Sequence, residues 1–289
     1  VLLEENKFGD DGAAAILTAA NWAAVKHLEL DSNEITDVGL ECLVSSPGPA
    51  RFRSLSLRSN EIGDVCAASL AESPQMSECE SLDVGGQIGA AGARALANGS
   101  QLRKLRSLSL GYNPLGDEGA KAIAATTLEN LEVVYVSACE IGPEGAQALV
   151  NSPFAKNLLQ LGLSENPIGN AGVKALAEAD VSRLVQLDLE DTELGDEGML
   201  ALAASQHLEN LQDLDLGFNN GVSARGTRAL TRANFPNLLT LWLPDADSQE
   251  DLDEREKLLR EHFGPHVDLG ESDVKEDDDE EDDDFDDDD

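Results

Sequence analysis

Apolar residues follow two rhythms that alternate along the first 245 positions. Short stretches such as Leu108-Ser109-Leu110 and Leu161-Gly162-Leu163 step apolar, polar, apolar, which is the period of a half-buried strand. Each is followed by a polar position, a Gly-containing turn and a run such as Gly119-Ala120-Lys121-Ala122-Ile123, whose small and aliphatic residues have helical spacing. The pattern L-x-x-L-x-L-x-x-N-x-I/L-G-D-x-G-x-x-x-L then recurs. Its clearest copies are Leu105-Leu108-Leu110-Asn113-Leu115-Gly119-Ile123 and Leu158-Leu161-Leu163-Asn166-Ile168-Gly172-Leu176. The polar anchor falls at Asn6, Asn33, Asn60, Gln87, Asn113, Cys139, Asn166, Thr192 and Asn219, always 26 or 27 residues apart. Such a period predicts a repeat architecture in which each unit is one strand, one turn and one helix.

Four residues past the anchor stand Asp10, Asp37, Asp64, Asp117, Asn170 and Asp196. This is where a helix needs an N-cap, so each is expected to accept the unpaired amides of its own helix. Asp11, Glu118, Glu144 and Glu197 come next and suit the positive end of the helix dipole. Two copies depart from the pattern. Gly85-Gly86-Gln87 is one residue short and Phe218-Asn219-Asn220-Gly221 one long, which predicts distorted turns without a change of fold.

These motifs resemble the leucine-rich repeat family, in its ribonuclease-inhibitor-like class, over residues 1–245. Leu108-Ser109-Leu110-Gly111-Tyr112-Asn113-Pro114-Leu115-Gly116-Asp117-Glu118-Gly119 is close to the bacterial form of the consensus. Leu258-Leu259-Arg260-Glu261-His262-Phe263-Gly264 is similar to the ending of planctomycete-type bacterial repeat proteins. The resemblance implies an α/β solenoid, a curved horseshoe of about nine repeats with parallel strands on the concave face and helices on the convex face. Val1 sits at the first apolar position of a strand, so the chain begins inside a repeat and natural sequence is expected upstream. Leu238-Leu241-Trp242-Leu243 reads as the last strand. Within residues 246–269, Ser248 to Phe263 reads as an amphipathic cap helix with Leu252, Leu259 and Phe263 on one face, ending at Gly264. Residues 270–289 have almost no apolar content and are expected to be a disordered acidic tail.

Composition changes the picture in two ways. Hydrophobic residues are 41% of the 289, enough for a core, but aromatics are only 4%, so that core must be aliphatic. Net charge is −37, from 57 Asp+Glu against 20 Lys+Arg. No Lys/Arg cluster exists to hold phosphates, which argues against nucleic acid and against an anionic membrane surface as partner. No run of 18 apolar residues occurs to span a bilayer. Residues 271–289 carry 15 acids and one base, a net of −14, which leaves −23 on residues 1–270. Part of that remainder is explained by helix starts.

Known chemistries find no foothold. His27, His207, His262 and His266 have no HExxH spacing, and no GxxxxGK[ST] occurs. Cys42, Cys66, Cys79 and Cys139 show no CxxC pair, so reduced thiols in a cytoplasmic setting are the expectation, with no zinc site. The tail lacks the residue order of a calcium loop. A non-enzymatic monomer without cofactor or metal is expected.

Function is then sought on the strand face, where residues alternating with the core leucines project. The middle of that face is small and neutral. Its C-terminal third gathers Asp188, Glu190, Asp213 and Asp215 beside Trp242, with Phe218 just beyond its strand, and Tyr135 projects earlier. Exposed aromatics beside charges have the composition of interface anchors, so these positions are candidates for binding a basic protein. The alternative is that Trp242 packs under the cap helix and the acids are merely solvated. The family resemblance implies a protein-binding scaffold. A second implication is a regulator of a small GTPase, because Ran GTPase-activating proteins combine similar repeats with an acidic tail.

Overall fold

The computed structural model describes residues 1–18, 22–45, 50–246 and 248–270. Of the expected disordered tail, residues 270–289, all but Gly270 lies outside the described residues, as does the side chain of Cys42. Among the described residues ten strands form one parallel sheet in chain order: β1 (His27–Glu29), β2 (Ser54–Gly63), β3 (Ser81–Gln87), β4 (Ser107–Ser109), β5 (Val133–Tyr135), β6 (Gln160–Gly162), β7 (Gln186–Asp188), β8 (Asp213–Asp215), β9 (Thr240–Trp242) and β10 (Asp268–Leu269). Among the described residues ten α-helices alternate with them: α1 (Gly9–Thr18), α2 (Asp37–Ser45), α3 (Asp64–Glu72), α4 (Ala90–Ala97), α5 (Gly116–Ala124), α6 (Pro143–Val150), α7 (Gly169–Glu178), α8 (Asp196–Ala204), α9 (Ala224–Ala229) and α10 (Gln249–Phe263). Strand–helix alternation with every strand parallel to its neighbours is an α/β solenoid.

Register explains the leucine pattern. Leu28, Leu55, Leu82, Leu108, Val134, Leu161, Leu187, Leu214, Leu241 and Leu269 pair in one continuous row across the sheet. All but Leu269 are buried, so they form the strand side of the core, and the helices supply the other side through residues such as Leu70, Leu96, Ile123, Leu149, Leu176 and Leu202. A one-residue slip would turn the whole row to solvent, which is why the pattern fixes the pairing.

From Asn33 onward the anchors other than Gln87 lie inside and their hydrogen bonds tie coil to coil, whereas Asn6 in the first coil is exposed and its amide donates to Glu4 O. Asn113 Nδ2 donates to Val84 O of the preceding coil at 2.8 Å and to Leu110 O of its own at 2.9 Å, while Oδ1 accepts from Ile88 N at 2.9 Å. Asn60, Asn166 and Asn219 make the same three kinds of bond. Cys139 fills the anchor position with its thiol donating to Leu110 O at 3.0 Å. An amide suits this place because it offers both donor and acceptor to backbone groups that water cannot reach.

Gln87 departs from the expectation. It is exposed, and the shortened turn instead extends β3 so that Ile62 pairs with Gly86 and Gly63 with Gln87 after a register shift. Gly86 comes so close to the adjoining strand that a Cβ there would lie 2.7 Å from Ile62 N. With one residue missing the chain cannot make the inward loop, and strand pairing satisfies its backbone instead.

The helix-start acids also act differently from their expected role. Each lies in the first turn of its own helix but accepts amides from the next one. Asp64 Oδ1 takes Gly89 N and Gly92 N, both at 2.8 Å, at the start of α4. Asp117 takes Gly142 N and Gly145 N ahead of α6, and Asn170 takes Gly195 N and Gly198 N ahead of α8. Asp10 and Asp196 do likewise and also accept the hydroxyls of Thr36 and Ser223. Capping is therefore passed from coil to coil. Where the acceptor is replaced, by Ala90 before α5 and Pro143 before α7, the helix opens on a glycine at positive φ. Gly116 (+57°) and Gly169 (+56°) then donate forward to Cys139 O and Thr192 O. Only a residue without Cβ takes that conformation at little cost.

After β9 the chain runs into α10. Ser248 caps it by accepting Asp251 N at 3.2 Å, and Gly264 ends it at φ +91°. Leu259 is buried and Phe263 stacks on Phe235 with ring centroids 6.3 Å apart. Leu252 is only half-buried, whereas Arg255 is enclosed, paired with Asp251 at 2.6 Å and donating to Pro244 O. The Leu241 strand is not the last, since β10 follows α10 and pairs with β9.

Candidate functional site

The strand face presents outward residues in straight rows because every strand is in register with the next. One row reads Ser109, Tyr135, Gly162, Asp188, Asp215 and Trp242. Four of the six candidate residues therefore stand side by side, about 4.8 Å apart per strand. Glu190, two residues past Asp188 on the same coil, completes an acidic trio. One carboxylate oxygen each from Asp188, Glu190 and Asp215 lies within 4.8 Å of the others. Asp213 belongs to the neighbouring row, opposite Gln186 and Thr240, and is not part of the trio.

Electrostatics within the trio is repulsive. Burial pushes the Asp215 carboxyl above its ordinary range, the amide of Gly217 pulls it partly back, and the Asp188 charge pushes it up again. Glu190 is raised by burial and then by Asp215, Asp188, Glu165 and Asp191 in turn. No ion pair among the described residues involves Asp188, Glu190 or Asp215. Three carboxylates could serve as ligands for a hard cation, but exposed acids gather this way without one. Their backbone contacts, Asp188 with Glu190 N and Asp215 with Gly217 N, stay inside the cluster.

Aromatic residues frame this charge. Tyr135 lies over Gly162, where any Cβ would overlap its ring, and its hydroxyl meets Gln160 Oε1 at 3.1 Å. Burial and the nearby Asp188 charge raise its phenol pKa. Trp242 is 44% exposed. It is flanked by Gly270, which passes so close that a Cβ there would overlap the indole. The strand face contains two further exposed aromatics. Tyr112 and Phe218 are 63% and 62% exposed, and Tyr112 donates to Glu165 Oε1 at 3.0 Å. Both occupy the residue before the anchor, where the turn takes positive φ in coil after coil: Ser59, Tyr112, Ala138, Glu165, Asp191 and Phe218 lie between +48° and +58°. An aromatic side chain is disfavoured there and gains no core packing in return. Reading position by position before the anchor would have picked out Tyr112 beside Phe218.

Between Arg58 at one end and Tyr112, Tyr135, Glu165 and Glu190 at the other, the face dips into a groove of about 640 Å³. Its floor is made by small residues such as Ser107, Ser109 and Gly111. At the Arg58 end the acids are satisfied. Asp31 accepts the Ser56 hydroxyl at 2.6 Å and Arg58 N at 2.9 Å, and Asp83 lies 3.6 Å from the Arg58 guanidinium.

Comparison with known proteins rests on this repeated strand–helix geometry. A model described as Leucine Rich repeat matches residues 25–44, 52–71, 101–124, 127–150, 155–177 and 183–203. The chain is a leucine-rich repeat protein. Its repeats are of the ribonuclease-inhibitor-like kind: ribonuclease inhibitor of Sus scrofa is 35% identical over 97 residues, 32% of this chain and 21% of the relative. Ribonuclease inhibitor of Mus musculus is 34% identical over 84 residues, 27% of this chain and 18% of the relative. This leucine-rich repeat chain thus matches about a fifth of the length of those curated relatives. A chain in the crystal structure of the yeast Rad7 and Elc1 complex superposes with a TM-score of 0.55 at 16% identity, over 90% of this chain and 71% of that one, a likeness of fold. Among the described residues no helix is long and apolar enough to cross a membrane.

Proposed function

We propose that this leucine-rich repeat protein is a non-enzymatic scaffold that holds a basic protein partner on the C-terminal third of its strand face. The observation that carries the reading is the trio Asp188, Glu190 and Asp215. Their carboxylates lie within 4.8 Å of one another, burial and neighbouring acids raise Glu190 and Asp215, and among the described residues no cation forms an ion pair with any of the three. A lysine or arginine placed there would bring back the compensation that folding leaves out. Tyr135 and Trp242 flank the trio in the same row, and Phe218 stands just beyond β8, giving an aromatic frame of the kind that anchors interfaces. Asp213 in the adjacent row extends the negative field, and residues 271–289, at net −14, would attract the same partner at longer range.

The curated relatives are named for inhibiting a ribonuclease, so a basic ribonuclease is the first probe. In titrations at low and moderate salt, the chain should bind it, and Asp188→Asn/Glu190→Gln/Asp215→Asn should weaken binding at least tenfold. Unchanged affinity in the triple variant overturns the proposed surface. Stimulated GTP hydrolysis by a small GTPase that survives in the triple variant would replace the scaffold reading with the GTPase-regulator one.

A further inference from the structure

On the convex side, one helix start departs from the others. The residue two past the helix-start position held by Asp10, Asp37 and their equivalents is glycine in α1, α2 and α4 to α9: Gly12, Gly39, Gly92, Gly119, Gly145, Gly172, Gly198 and Gly226. In α3 it is Cys66. Glycine there lets adjoining helices close up. A Cβ at Gly39, Gly92 or Gly145 would sit 2.5 to 2.6 Å from a carboxylate oxygen of Asp10, Asp64 or Asp117 in the preceding coil. Cys66 carries that Cβ. Asp37 accordingly holds Gly63 N at 2.8 Å, and among the described residues it lacks the second bond that Asp64 and Asp117 make to the third amide. The α2–α3 pair is the most loosely packed neighbouring pair from α1 to α9.

The gap is a cleft of about 420 Å³, with Leu40 and Cys66 among its lining and Val38 and Val65 at its mouth. These valines are 68% and 72% exposed. The same position in the other repeats is charged at Asp11, Glu118, Glu144, Glu197 and Arg225 and alanine at Ala91 and Ala171, so two adjoining valines replace what is elsewhere mostly charge. Burial pushes the Cys66 thiol up to about 12, which leaves it protonated and unreactive at neutral pH. Asp37 and Glu41 also line the cleft, and among the described residues no lysine, arginine or histidine does.

We infer that the α2–α3 cleft is a second docking site, taking one large apolar side chain from a cationic amphipathic helix of a protein partner. The volume suits one such side chain with its flanking backbone. The acid-only charge of the lining selects Lys or Arg on either side of the inserted residue. This site is on the opposite face from the trio and does not depend on the function proposed for it.

The test uses the full chain with methyl-labelled valines and a helical peptide of leucines and lysines. A second peptide of the same charge replaces the leucines by serine. The Val38 and Val65 methyl signals should shift saturably with the leucine peptide only. Cys66→Gly, which lets α3 close on α2, should raise the midpoint of that titration at least tenfold, and so should Val38→Ser with Val65→Ser, followed through neighbouring signals. If the valine methyls stay still, respond equally to both peptides, or titrate unchanged in Cys66→Gly, the cleft is not a docking site.

Discussion

Carboxylates at the helix starts and carboxylates on the strand face are the same functional group in opposite circumstances. Asp64 and Asp117 each accept two amides of the following helix, so their charge is met by backbone donors and the positive end of a dipole. Asp196 shows the result. Burial alone would raise its carboxyl, but bonds from the Ser223 amide and hydroxyl and from the Gly226 amide hold it below the ordinary range. Asp215 and Glu190 are raised by burial with too few donors to offset it, and their neighbours are other acids. The first set stabilises the solenoid. The second set weakens it slightly and leaves a field for something else to neutralise. Net charge therefore says little until each acid is assigned to one set or the other.

Substitutions should separate the two sets by sign. Asp117→Ala strands two amides at the start of α6, and losing such a cap costs about 2 kcal/mol. Denaturant unfolding should show that loss, and an Asp117→Asn chain should recover most of it because Asn170 performs the same task between α7 and α8. A loss smaller than a few tenths would mean that water satisfies these amides and that the ladder is ornamental.

The two ways of opening a helix give the next largest effect. Gly116 sits at φ +57°, so Gly116→Ala forces a methyl into a conformation that disfavours it and should cost about 1 kcal/mol. Gly142 is extended at φ −92°, and a Cβ there would meet Asp117 at 3.3 Å, a contact that a small shift relieves. Gly142→Ala should therefore cost clearly less than Gly116→Ala in the same unfolding series. Equal costs would remove the distinction between passed-on caps and positive-φ starts.

Much of this arrangement is legible in the sequence, and the exceptions have physical reasons. The leucine row follows from period two because a slipped strand would expose its core residues, so Leu108 and Leu161 alone nearly fix the register. The candidates Asp188, Asp215, Trp242 and Tyr135 fall into one row for the same reason. The direction of capping is not legible, since spacing places Asp64 near two helix starts and only packing of α4 against α3 decides which amides it reaches. Gln87 looked like an anchor by spacing, yet the missing residue left no inward loop for it. Arg255 is hidden from a hydrophobic pattern because its burial depends on Asp251 and the Pro244 carbonyl meeting it there. Strand β10 is two residues long, too short for any period to register.

On the strand face the expected change has the other sign and is smaller. Asp188 and Asp215 are direct cross-strand partners, and like charges in that position are unfavourable by about 0.5 kcal/mol. Asp215→Asn removes the repulsion while keeping a side chain able to accept Gly217 N, so the chain should become more stable by about that amount at neutral pH. Its affinity for a basic partner should fall at the same time. A variant both less stable and still fully binding would contradict both roles given to the trio.

Acid titration gives the finest discrimination. An unfolded aspartate ionises near pH 3.9. Asp215 is raised in the folded chain, so its destabilising charge disappears as pH falls through that raised value, before the unfolded chain takes up protons. The advantage of Asp215→Asn over the parent should accordingly fade on the way down to about pH 4. Asp196 is lowered, so its contribution is fully present above the unfolded value and is lost only as pH falls through its lower folded value. The deficit of Asp196→Ala should persist through that same interval and shrink only below about pH 4. Between the raised value of Asp215 and that point, one difference closes while the other holds, as read from urea midpoints of the three chains at half-unit pH steps. If both differences closed together, the two acids would share one environment.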